Sequence, residues 1–170
     1  MRWLNVALYI AVTTGAVVLT IPIVIIAILI GAMGGGLYIA GALTILVLYF
    51  AGVFVGRRFF QGIFLRGINQ KLADLKTSIN FVPVLSTTTS DKMAFLGFDT
   101  FSSTGVFVNY PQDVVQKFKF SDVLGCNWKG DDRTDVLEII LKDGKVKIGI
   151  PSDQFGEFKT RMFAALGMND

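Results

Sequence analysis

The first 56 positions are almost wholly apolar, and beyond them the hydrophobic pattern changes twice. Leu4–Ile30 carries no charged side chain, and neither does Leu37–Val55. A helix crossing a bilayer needs about 20 apolar residues at roughly 1.5 Å rise each, so both runs suffice, the first with length to spare for tilt. A secretory signal would stop after an apolar region of about 7–15 residues, well short of Leu4–Ile30. Between the runs, Gly31-Ala32-Met33-Gly34-Gly35-Gly36 has room only for a reversal. The pattern predicts a transmembrane helical hairpin with spans at 4–30 and 37–55. Pro22 has no N–H to donate and predicts a kink in the first span. Thr13, Thr14 and Thr20 can return hydrogen bonds to their own helix backbone.

After Val55 the periodicity becomes that of an amphipathic helix. Phe60, Phe64, Ile68, Leu72 and Leu75 recur at helical spacing, with Ile63 and Gly67 beside them. Arg58, Arg66, Gln70 and Asp74 lie mostly elsewhere around the wheel. A helix of this kind either lies on an anionic membrane surface or continues the second span and packs on the domain that follows. Both use the same face.

From Ser78 apolar and polar residues alternate, which marks strands. The predicted strands are 80–85, 93–98, 105–110, 115–120, 123–129, 136–142 and 145–150. In the last pair Leu137, Ile139 and Leu141 share one face and are answered by Val146, Ile148 and Ile150. Asp143-Gly144 between them predicts a type I′ hairpin turn. A final helix follows, with Ser152 as the expected N-cap, a stripe of Phe155, Phe158, Met162 and Leu166, and Gly167 as the stop. The expected fold class is a membrane protein of α+β type. It has a hairpin over 1–56, a basic juxtamembrane helix or linker over 57–77, and a small antiparallel β barrel or sandwich over 78–170 capped by the C-terminal helix.

Charge sharpens this division. The net charge of +3 is unevenly placed. Arg57, Arg58, Arg66, Lys71 and Lys76 face a single acid, Asp74, whereas from Thr77 onward ten basic residues meet twelve acids. A mildly acidic C-terminal half argues against nucleic acid as a partner, since phosphate neutralisation needs a basic face. The charge cluster after the second span, and the uncharged turn between spans, place the C-terminal side in the cytoplasm by the positive-inside rule. Two spans then bring the N-terminus there too. The five basic residues are the candidate contacts to lipid headgroups.

Small residues recur four apart at Gly31/Gly35, Gly36/Ala40 and Gly52/Gly56. Such spacing lets helix backbones approach closely in lipid, either between the two spans or between copies in a homo-oligomer.

The C-terminal half resembles the bacterial pleckstrin-homology-like domains that follow one or two membrane helices. The resemblance rests on Phe118-Lys119-Phe120-Ser121-Asp122-Val123, on Val136 through Lys145, on Ile150-Pro151-Ser152, and on Phe155 to Leu166. It implies a seven-stranded, helix-capped fold at a bacterial inner or plasma membrane, and it brings no shared catalytic residues. Eukaryotic relatives that bind phosphoinositides use a basic loop between the first two strands. The corresponding Ser86–Lys92 here holds one lysine and one acid.

Chemistry is sparse. There is no histidine, which removes the usual base near neutral pH and the commonest metal ligand. Cys126 is the lone cysteine, so no intrachain disulfide forms, and beside Trp128 it reads as a buried structural thiol. Gly130-Asp131-Asp132-Arg133-Thr134-Asp135 reads as a solvated loop, short of the 6–8 oxygen ligands that calcium takes. Gly34-Gly35-Gly36 lacks the preceding strand and following Lys-Ser/Thr of a phosphate loop. Neither span carries an ionisable group of the kind that marks an ion path. The expectation is a protein that is not an enzyme and takes no cofactor or metal. It would be a membrane-anchored scaffold presenting its β domain to an unidentified membrane or cytoplasmic protein. The alternatives are an oligomeric pore or ring component and, more weakly, sensing of anionic lipid by 57–77.

Overall fold

Two uninterrupted apolar runs become two long helices. The computed structural model describes residues 2–34, 36–131 and 134–168. Helix α1 covers Arg2–Ala32 and helix α2 covers Gly36–Ile79, 31 and 44 residues respectively. Both are long and apolar enough to cross a membrane. The connection is tighter than the glycine content suggests. Gly31 and Ala32 complete α1, Gly36 opens α2, and Gly34 takes the positive φ of +81° that the reversal needs. Pro22 lies within α1 without ending it.

The chain divides into two compact units, Met1–Gly62 and Ile63–Asp170, and α2 contributes to both. In the first unit the two helices pair antiparallel. Tyr9 meets Phe60 edge to face with ring centroids 6.2 Å apart. Further along, the Tyr49 hydroxyl donates to the Ala16 carbonyl and lies 3.1 Å from Thr20 Oγ1. Thr13 and Thr20 also donate back to the carbonyls of Tyr9 and Ala16, at 2.9 and 2.7 Å. Ala27 and Ala42 are buried.

In the second unit the last four turns of α2 are part of the β domain. Phe64, Ile68 and Leu75 are buried. Tyr110, at the end of the third strand, lies against this face and stacks at a tilt on Phe64 with centroids 5.4 Å apart. The ring fits because Gly67 has no side chain: a Cβ there would fall 2.1 Å from a Tyr110 ring carbon. Lys71 closes the contact through an ion pair with Asp113.

α2 ends where Asn80 turns left-handed at φ +54°. The strand expected over 80–85 does not form. Pro83 has no N–H for a ladder, and the Val82 N–H is taken by the Asp99 carboxylate at 3.2 Å. Strand β1 instead covers Leu85–Thr88, so it takes in residues that their polarity assigns to a loop. The remaining strands are β2 Ala94–Asp99, β3 Thr104–Asn109, β4 Val114–Lys119, β5 Val123–Asp131, β6 Thr134–Leu141 and β7 Gly144–Pro151. They form two antiparallel sheets, β1-β2-β3-β4 and β5-β6-β7. Helix α3, Ser152–Leu166, lays Phe158 and Met162 on the core formed with Leu96, Phe98, Leu137, Ile139 and Ile150.

Local corrections have local causes. The turn between β6 and β7 is Lys142-Asp143, because Leu141 pairs with Gly144. Asp143 keeps negative φ, and only Gly144 is positive at +149°. Lys142 is held in place by its N–H on the Asp122 carbonyl at 3.0 Å and its Nζ on the Asp122 carboxylate at 3.2 Å. Ser152 lies one residue inside α3. The strand ladder runs to Pro151, which takes the cap position and leaves no side-chain cap. At the other end Gly167, at φ +67°, closes α3 with Met168 N–H bonded to the Phe163 carbonyl. On sheet one, Phe118 pairs with Gly105 and its ring covers that glycine, where a Cβ would lie 2.2 Å away.

Asp99 ties several of these pieces together. It ends β2, is 2% exposed, and accepts from Val82 N–H, from Phe101 N–H at 2.9 Å and from Ser102 N–H at 3.3 Å. Burial pushes its carboxyl up, but those N–H donors and the Ser102 hydroxyl outweigh burial and hold it below the usual carboxylate range. A group so depressed stabilises the fold fully above its unfolded value of about 4 and loses that contribution as pH falls through its folded value. Asp99→Asn should therefore cost about 1.5–3 kcal/mol at pH 7. Thermal unfolding in mild detergent should show the gap to wild type closing on acidification, and a gap constant from pH 7 to 3 would refute the assignment. Gly67→Ala removes a helix penalty of about 1 kcal/mol yet should destabilise by about 1–3 kcal/mol through overpacking on Tyr110. In a Tyr110→Ala background the same change should be neutral or stabilising.

Candidate functional site

β1 is an edge strand, paired to β2 alone, and α3 runs beside it. Between them lies a cleft of about 190 Å³. Leu85 and Phe158 form its apolar floor, and Ser86 and Thr87 line it from β1. On α3, Asp153, Glu157 and Arg161 recur at i, i+4 and i+8 and present one charged wall. Arg161 reaches Glu157 at 3.2 Å, an exposed pair of small energetic weight. Thr87 is 5% exposed, and its hydroxyl is buried without a hydrogen-bond partner. Native proteins leave few buried polar groups in that condition.

The backbone of β1 adds to the cleft. Thr89 N–H bonds to the Ala94 carbonyl at 3.1 Å. Antiparallel alternation from that pair turns the backbone groups of Thr87 toward β2 and those of Ser86 and Thr88 toward the open edge.

The basic residues singled out by sequence do not form one site. Arg57, Arg58, Arg66 and Lys76 are exposed, and Arg58 stacks over the Phe54 ring at 5.1 Å. Lys71 is engaged with Asp113. The apolar face beneath residues 64–75 is occupied by the β domain. The small residues also divide. A Cβ on Gly56 would meet Val12 at 3.6 Å, whereas one on Gly31, Gly36 or Gly52 would meet nothing within 4 Å. Ala40 is exposed, and Gly35 lies outside the described residues.

Other candidate chemistry is quiet. Cys126 is half-buried against the core, and burial pushes its thiol up to about 11. Trp128 packs edge to face on Phe155 at 4.8 Å. No cluster of three metal-ligating side chains occurs among the described residues. The acidic run at 130–135 is not the loop its composition suggests: Gly130-Asp131 ends β5 and Thr134-Asp135 opens β6, because the ladder continues through the pairing of Gly130 with Asp135 and of Asp131 with Thr134. Asp132 and Arg133 lie outside the described residues. Glu138, on the outer face of β6, is held below the usual carboxylate range by Lys145 at 2.9 Å and Lys147 at 3.5 Å.

Sequence reasoning passed over Thr87, Asp99 and Tyr49. Asp99 had a signal, since Asp before Thr-Phe-Ser-Ser is turn chemistry. The other two had none, because each matters only through a neighbour distant in the chain. No family model matches this chain, and neither a curated protein nor a solved structure does.

Valine has the shape of threonine without the hydroxyl, so Thr87→Val removes a buried group that lacks a partner. Stability should be unchanged or higher by up to about 1 kcal/mol. A loss larger than that in thermal unfolding would show that the hydroxyl is satisfied in the fold.

Proposed function

We propose that this protein is a non-enzymatic membrane-anchored adaptor. Its helical hairpin sits in a bacterial inner or plasma membrane, and its β domain, of pleckstrin-homology-like type, docks a protein partner on the cytoplasmic side. The observation that carries this reading is α2 itself. One helix starts in a membrane-length apolar run and ends with Phe64, Ile68 and Leu75 buried in the β domain. The domain type is supported by the order of elements, four strands, three strands and a closing helix. Its side of the membrane is supported by Arg57, Arg58, Arg66 and Lys76 after the second span.

A second reading, assembly into an oligomeric ring or pore, is favoured by one observation. A Cβ on Gly31 or Gly36 would meet nothing within 4 Å, which leaves these two for contacts between copies, whereas Gly52 lines the groove between α1 and α2 with Val12 and Ala16. Anionic lipid fits less well, because the face that would enter the headgroup layer is packed in the β domain.

Protease protection in sealed bacterial membrane vesicles tests the adaptor. The protein should resist carbonate extraction, and a C-terminal tag should be cleaved only in inside-out vesicles. Cleavage in right-side-out vesicles alone would overturn the topology. Sizing in mild detergent tests the second reading, which expects one sharp high-order species that Gly36→Leu disperses; a strict monomer would remove it.

A further inference from the structure

The edge of β1 and the face of α3 make one continuous receptor surface. We propose that the β1–α3 cleft binds an extended, cationic peptide segment of a partner protein, added as a fifth strand on β1 with a lysine or arginine lying along α3. This deepens, and rests on, the reading of the β domain as a docking module.

Three independent features converge on that occupant. The first is the edge. β1 is hydrogen-bonded to a strand on one side only, although β7 and α3 both approach it, and Ser86 and Thr88 turn their backbone groups outward. An extended chain is the ligand that satisfies such a row. The second is charge. Asp153 and Glu157 line the wall one helical turn apart, and Arg161, the one basic residue among the described residues lining the cleft, is already engaged with Glu157. A cationic side chain laid along α3 completes this set, while an acidic one faces two carboxylates. The third is Thr87. Its hydroxyl is buried, lacks a partner and belongs to the residue that lines the cleft between the edge and the wall. A polar group of the incoming segment supplies the missing bond once a small shift of the Thr87 side chain brings the hydroxyl to the cleft surface.

A second copy of this chain is the poorer occupant. Pairing β1 with another β1 would bring two acidic α3 walls together, and the Lys92 ammonium, bonded to Thr88 Oγ1 at 3.1 Å, does not line the cleft to offset them. A membrane surface is poorer still, because an anionic headgroup would meet Asp153 and Glu157.

The test is selection from a display library of random nine-residue peptides on the full chain in mild detergent. Binding of the selected peptides is then measured by fluorescence anisotropy. Selected peptides should carry lysine or arginine at one fixed position, flanked by alternating β-branched residues. The double variant Asp153→Asn, Glu157→Gln should weaken them at least tenfold, and raising the salt concentration should weaken wild-type binding in parallel. Ser86→Pro, which blocks the open edge, should abolish binding. Thr87→Val should weaken it several-fold while leaving thermal stability unchanged or improved, so that variant separates recognition from folding. Selected peptides that bind but ignore all four substitutions would overturn this cleft and leave the adaptor reading standing. Peptides without a fixed cation would overturn the proposed partner chemistry. Failure to select any binder to the β domain would count against both readings. A dimer formed through β1, broken by Ser86→Pro, would replace the peptide with a second copy.

Discussion

The contact between Gly67 and the Tyr110 ring governs the C-terminal unit. A helix backbone can come this near an aromatic ring only where no Cβ intervenes. Once it does, Phe64 stacks on the same ring and Lys71 meets Asp113 on the same side. The final turns of α2 thereby become part of the β domain. Their apolar stripe is the stripe an interfacial helix would have, and the difference lies in what covers it. Here the Tyr110 ring stacks on Phe64 and covers Gly67, and Ile68 and Leu75 on the same helix are buried.

From that anchor the chain must turn from helix to sheet within a few residues, and Asp99 makes this possible. Pro83 and the left-handed Asn80 break any regular ladder between Ile79 and Leu85. The backbone donor this exposes at Val82 is satisfied by a carboxylate that also closes the β2–β3 turn. One buried charge, surrounded by N–H groups, thus fixes where β1 begins and so where the sheet edge lies. The cleft beside α3 is a consequence of that placement.

The hairpin solves a different problem. Its helices are apolar on all sides, so the hydrophobic pattern does not select one face for pairing. Selection falls to specific contacts: Tyr49 on the Ala16 carbonyl, the Tyr9–Phe60 ring pair, and Gly56 opposite Val12. These are few, and they leave Gly31 and Gly36 facing open space and an unfilled groove between the helices at Gly52.

Sequence by itself determined the element types. Unbroken apolar runs, the period-two alternation of Leu137, Ile139 and Leu141, and the stripe of Phe158 and Met162 each answer to a local physical rule, and the structure has helix, strand and helix at those places. It also located the boundary set by Gly167, where only local backbone freedom matters. It failed at Asn80–Leu85 and at the Lys142-Asp143 turn, where Asp99 and Asp122 impose long-range hydrogen bonds on residues whose own preferences point elsewhere. Tertiary structure alone decided that Gly67 faces Tyr110, that the Thr87 hydroxyl is buried, and that β1 and α3 share a cleft. Each depends on two residues far apart in the chain arriving at one point, and no periodicity along the sequence encodes such a meeting.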